Sequence, residues 1–94
     1  MFNIKKCDNL YIRQVRNLFA VEYKKLGARI VYYRKIRGLT QEKLAEEVGI
    51  SPQYLSRIEN GNYPKSVSLS TLMRITSKLN ITMSQLMENV EAED

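Results

Sequence analysis

The sequence predicts an all-α fold, one small domain of five to six short helices, and three observations lead there. Apolar residues recur at helical spacing along nearly the whole chain, whereas the alternation of a half-buried strand is scarce. Ser, Thr and Asp stand just before these periodic stretches and Gly just after them, the punctuation of helix starts and stops. The chain has 94 residues, enough for one domain and too few for two, and with 44% hydrophobic residues it can bury a core.

Taken in order, a first segment from about Asn9 to Lys25 sets Ile12, Val15, Phe19 and Tyr23 near one face, with Asp8 placed to cap it. Gly27 interrupts or weakens that pattern. A second helix from about Leu26 to Arg37 turns Leu26, Ile30 and Tyr33 inward, and Gly38 stops it. Thr40 offers an N-cap to a short helix, Gln41 to Val48, with Leu44, Ala45 and Val48 inward and Gly49 at its end. Ser51 caps the next helix, which places Pro52 at its first position, where a missing N–H costs nothing. Leu55 and Ile58 form its inner face, and it ends at Asn60-Gly61. After a loop from Asn62 to Val67, Ser68 caps a helix carrying Leu69, Leu72, Ile75, Thr76 and Leu79. Thr82 to Gln85 fits the capping-box pattern ahead of a last short helix with Leu86. The expected organisation is an N-terminal extension over residues 1–25, a domain over 26–87, and an acidic frayed tail over 88–94.

Charge narrows the function. Fifteen Lys and Arg face ten Asp and Glu, a net +5, and ten of the basic residues lie within residues 1–37. A basic N-terminal third and an acidic tail favour a negatively charged polymer as partner, although charge alone does not separate nucleic acid from a membrane surface. There is no His, and Cys7 is the single cysteine. An internal disulfide, a Cys/His zinc site and histidine acid–base catalysis are therefore excluded. A lone thiol suits a reducing compartment. No apolar run approaches the ~18 residues of a membrane span, and the first residues lack the apolar core of a secretion signal. The expectation is a cytoplasmic protein that is not an enzyme, with no membrane association, no cofactor and no metal.

The stretch from Leu39 to Gly61 carries the functional signal. Two capped helices are separated by a short turn containing Gly49, the spacing of a helix-turn-helix. Ala45 allows the helices to approach, and Leu44, Val48, Ile50, Leu55 and Ile58 supply the wedge that fixes their angle. A helix of about nine residues at ~1.5 Å rise is roughly 14 Å long, comparable with a major groove about 12 Å wide. Subtracting the inward positions leaves Pro52, Gln53, Tyr54, Ser56, Arg57 and Asn60 outside. Gln53 suits a bidentate pair with adenine, and Arg57, one turn on, suits guanine or a phosphate. Tyr54 offers a ring to a thymine methyl or a hydroxyl to a phosphate; packing against Tyr63 or the scaffold is the structural alternative. Ser56 is a less selective hydrogen-bonder.

Thr40-Gln41-Glu42, Leu44-Ala45, Gly49-Ile50-Ser51 and Leu55-Ser56-Arg57-Ile58-Glu59-Asn60-Gly61 fall together in a register that resembles the lambda-repressor-like (Xre, or Cro/C1 type) helix-turn-helix family. The likeness covers about Leu26 to Leu86. It implies DNA phosphate contacts at Gln41, at the backbone N–H groups of the Asn60-Gly61 turn, and at Tyr63 and Lys65 just beyond. It implies base reading at positions 52, 53 and 57, and a structural ion pair between Arg34 and Glu59. Pro52 departs from the family in replacing a polar residue, so it offers shape contact alone. The segment before the next helix is lengthened to Pro64-Lys65-Ser66-Val67-Ser68-Leu69, and residues 1–22 lie outside the family core.

The resulting expectation is a sequence-specific transcriptional regulator, a repressor that binds double-stranded DNA at a palindromic operator as a homodimer. The dimer surface is expected on the last helix, with Met83, Leu86 and Met87, or on the N-terminal helix. The alternative is an antitoxin-like or adaptor protein, whose N-terminal helix docks a protein partner through Ile12, Val15, Leu18 and Phe19.

Overall fold

In the computed structural model, residues 19–62 and 67–88 are described. They form five helices and, among these residues, no strand: α1 (Ala20–Ile36), α2 (Gln41–Val48), α3 (Pro52–Glu59), α4 (Leu69–Leu79) and α5 (Met83–Met87). Most of the expected first segment, residues 9–18, lies outside the described residues, as do Cys7, Tyr63 and Lys65.

The caps fall on the residues that chemistry favours. The side-chain oxygens of Thr40, Ser51 and Ser68 accept from the backbone N–H of Lys43, Tyr54 and Thr71 at 3.0, 3.0 and 3.2 Å. Thr82 and Gln85 form a reciprocal capping box, which makes a helix as short as α5 possible. Arginines satisfy carbonyls at two helix ends. Arg37 donates through Nε to the Leu79 carbonyl at 2.9 Å, and Arg74 through Nη1 to the Val48 carbonyl at 3.1 Å.

One core joins all five helices, with Leu26 and Ile30 from α1, Leu44, Ala45 and Val48 from α2, and Leu55 and Ile58 from α3. Leu72, Ile75 and Leu79 from α4 and Leu86 from α5 close it. One expectation changes here. Leu86 is fully buried in this core, so of the last helix only Met87 presents a large exposed apolar side chain. Leu69, the first residue of α4, is exposed.

The expected break near Gly27 is also absent, because α1 runs unbroken from Ala20 through Gly27 to Ile36. The glycine serves a close approach between helices instead. A Cβ built there would lie 2.3 Å from the Glu59 carbonyl oxygen and 2.5 Å from that of Ile58. Only a residue without a side chain lets α1 pass so near the end of α3.

Candidate nucleic-acid interface

Helix α3 is held from behind and open in front. Leu55 and Ile58 are fully buried, while Pro52, Gln53, Arg57 and Asn60 are exposed. Gln53, Arg57 and Asn60 stand at i, i+4 and i+7 and therefore share one face. Ser56 is half-buried beside that face, and Tyr54 is half-buried with its ring packed against the core. The structure thus brings Gln53 and Arg57 together on the open face. Tyr54 and Ser56 sit at its margins, and the pyrrolidine of Pro52 stands at its N-terminal edge.

The support of α3 is polar as well as apolar. Arg34 of α1 grips Glu59 through a fork, Nε donating to Oε2 at 2.7 Å and Nη2 to Oε1 at 3.1 Å. The Arg34 side chain is 11% exposed and that of Glu59 2%, so the pair is shielded from water and counterions. Arg34 also donates through Nη1 to the Leu39 carbonyl at 2.8 Å, which ties in the turn ahead of α2. Gln41, the first residue of α2, donates through Nε2 to Glu59 Oε1 at 2.7 Å. One carboxylate therefore fixes α1, α2 and α3 relative to one another. Gln41 Nε2 carries a second N–H that this bond leaves over.

The Asn60-Gly61 turn differs from the expectation that it offers backbone N–H groups to a phosphate. Asn60 N–H donates to the Ser56 carbonyl, Gly61 N–H to Ile58 and Asn62 N–H to Arg57, at 3.0, 3.0 and 2.9 Å. This is the Schellman pattern, with Gly61 at φ +68° in the left-handed position that closes the helix. The three donors are spent inside the protein. What the turn presents outward is the Asn60 side chain and the surface around Gly61. Tyr63 and Lys65, expected just beyond, lie outside the described residues.

Sequence reasoning missed the roles of Gly27, Arg37 and Arg74. The sequence marks Arg37 and Arg74 only as basic residues, and the fold shows that they cap carbonyls 42 and 26 residues away. No local signal announces such pairings. Gly27 had a signal, a glycine inside an otherwise regular helical pattern, and it admits two meanings: a weak point, or a place where something packs close.

Comparisons with known proteins agree with this geometry. A family model described as "Helix-turn-helix" matches residues 30–86. The "ImmF control region 10 kDa protein" of Bacillus phage phi105 is 44% identical over 63 residues, covering 67% of this chain and 68% of that one. The "Immunity repressor protein" of the same phage is 43% identical over 61 residues, 65% of this chain and 41% of that one. Among solved structures, the restriction-modification controller protein C.AhdI from Aeromonas hydrophila superposes with a TM-score of 0.63 at 31% identity. That superposition covers 68% of this chain and 94% of that one. No described helix is long and apolar enough to cross a membrane. With the motif, the five-helix architecture and the matched residues in agreement, the chain belongs to the lambda-repressor-like (Xre-type) helix-turn-helix family of DNA-binding transcriptional regulators, not to a family of enzymes.

Proposed function

We propose that the protein is a repressor that binds a palindromic operator as a homodimer, laying α3 in the major groove. The observation that carries this reading is the pairing of exposed Gln53 and Arg57 on a helix whose opposite face is fully buried. Gln53, near the N-terminus of α3, is placed to reach an adenine edge, and Arg57 a guanine or a flanking phosphate. Gln41 contacts a phosphate with its remaining amide N–H, at the start of α2 where unpaired backbone N–H groups and the helix dipole favour an anion. Asn60, Tyr63 and Lys65 supply further phosphate contacts.

A single short helix reads too few base pairs to single out a site in a genome, and two-fold pairing doubles the reading. Val21, Tyr32 and Ile36 are exposed and share one side of α1, which offers an apolar surface for that pairing. Repression is the reading favoured by the likeness to a phage immunity repressor.

Selection of bound duplexes from a random pool tests the proposal. A two-fold symmetric consensus is the expected result, and enrichment of no sequence would overturn it. Light scattering coupled to size exclusion tests the pairing, with a dimer expected on the selected duplex and a strict monomer on and off DNA counting against it.

A further inference from the structure

Beyond the residues named so far, we infer that Lys24 grips a DNA backbone phosphate at the wall of the major groove, an inference that rests on the operator-binding reading above. Lys24 belongs to α1, at first sight far from a reading helix that begins only at Pro52. Yet its backbone lies against Gly61. A Cβ built on Gly61 would sit 2.7 Å from Lys24 Cα, 2.8 Å from its N and 2.9 Å from its Cγ. The side chain of Lys24 therefore starts at the C-terminal end of α3, directly over the turn that closes it, and it is exposed.

The position matters because of what lies along α3. Gln53, Arg57 and Asn60 form a line on the open face, and Gly61 ends that line. From Gln53 to Gly61 is eight residues, roughly 12 Å at ~1.5 Å rise, which matches a major groove about 12 Å wide. With the N-terminal end of α3 over the bases, its C-terminal end stands at the groove wall, where the phosphates are.

That end is a poor anion site on its own. The N–H groups of Asn60, Gly61 and Asn62 are all donated to carbonyls of α3. A helix C-terminus also carries the negative end of the macrodipole. A phosphate arriving there needs a side-chain cation. Lys24 makes no ion pair with a described residue and is the cation that the packing of α1 on Gly61 delivers to this spot. The competing role is a purely structural one, a positive charge beside a helix C-terminus, and it predicts a stability effect with no change in salt dependence.

The test uses the full chain with two probes, a random-sequence duplex and a duplex carrying the selected consensus, titrated between about 50 and 200 mM salt. Lys24→Ala is expected to weaken both complexes by a similar factor, roughly three- to tenfold near 100 mM salt. It should also reduce the slope of log K against log salt by about 1. Lys24→Arg should retain wild-type binding, and the thermal midpoint of Lys24→Ala should stay at the wild-type value. Wild-type affinity and slope in Lys24→Ala would overturn the inference while leaving the operator reading intact. So would a loss confined to the consensus duplex, or one explained by a lowered thermal midpoint. Wild-type protein that binds neither duplex would overturn both.

Discussion

The two faces of α3 are built on opposite terms. The inner face carries Leu55, Ile58 and Glu59, all buried, and Glu59 alone takes three donated hydrogen bonds from Arg34 and Gln41. The outer face carries Gln53, Arg57 and Asn60, exposed and bonded through their side chains to nothing among the described residues. The helix and its C-cap thus separate into a set that determines where the helix lies and a set that determines what it touches. Substitutions on the first set should act through stability, and substitutions on the second through recognition.

Glu59→Ala should show the largest effect, a loss of about 3–5 kcal/mol in urea unfolding, because it strands a shielded guanidinium without its counter-charge. Replacing both partners, Arg34→Met with Glu59→Leu, should recover most of that loss. A double variant as unstable as the single one would mean that the packing angle itself depends on the fork. Gly27→Ala comes next, at about 1–3 kcal/mol by the same measurement, since the added methyl meets two backbone carbonyls that have no rotamer to move to. Arg57→Ala should leave stability within ~0.5 kcal/mol of wild type. Discrimination at one operator base position should nonetheless fall by about 1–3 kcal/mol in competition binding. Equal losses on operator and random duplexes would break the division between the faces. The smallest shift is expected of Ser51→Ala, about 1 kcal/mol of stability through the lost cap; its calorimetric midpoint should drop while sequence preference stays fixed.

Much of this architecture is written locally. The caps at Thr40, Ser51, Ser68 and Thr82 depend on residues within three positions of each other, so the sequence announces them. The inward sides of α2 and α3 follow from spacing. Other features depend on contacts between distant parts of the chain. Gly27 weakens a helix by local propensity, yet α1 continues through it because the carbonyls of Ile58 and Glu59 occupy the place of its side chain. Leu86 reads as surface on a short terminal helix and becomes core because α5 packs back onto α1 and α4. The N–H groups of the Asn60-Gly61 turn read as open to a ligand until the Schellman bonds account for each of them. As for the candidate site, the exposure of Gln53 and Arg57 was legible from period alone, whereas the nearness of Lys24 was not, because a contact across 37 residues leaves no trace in local pattern.

The bare backbones of Gly27 and Gly61 have a mechanical consequence. Where helices meet through long side chains, a small displacement of one is absorbed as neighbouring rotamers shift. Here α1 meets the end of α3 at both glycines, against the carbonyls of Ile58 and Glu59 at Gly27 and against the backbone and Cγ of Lys24 at Gly61, with little side chain to give way. A shift of the front half of α1 is therefore expected to carry the end of α3 with it, and with it the line of Gln53 and Arg57.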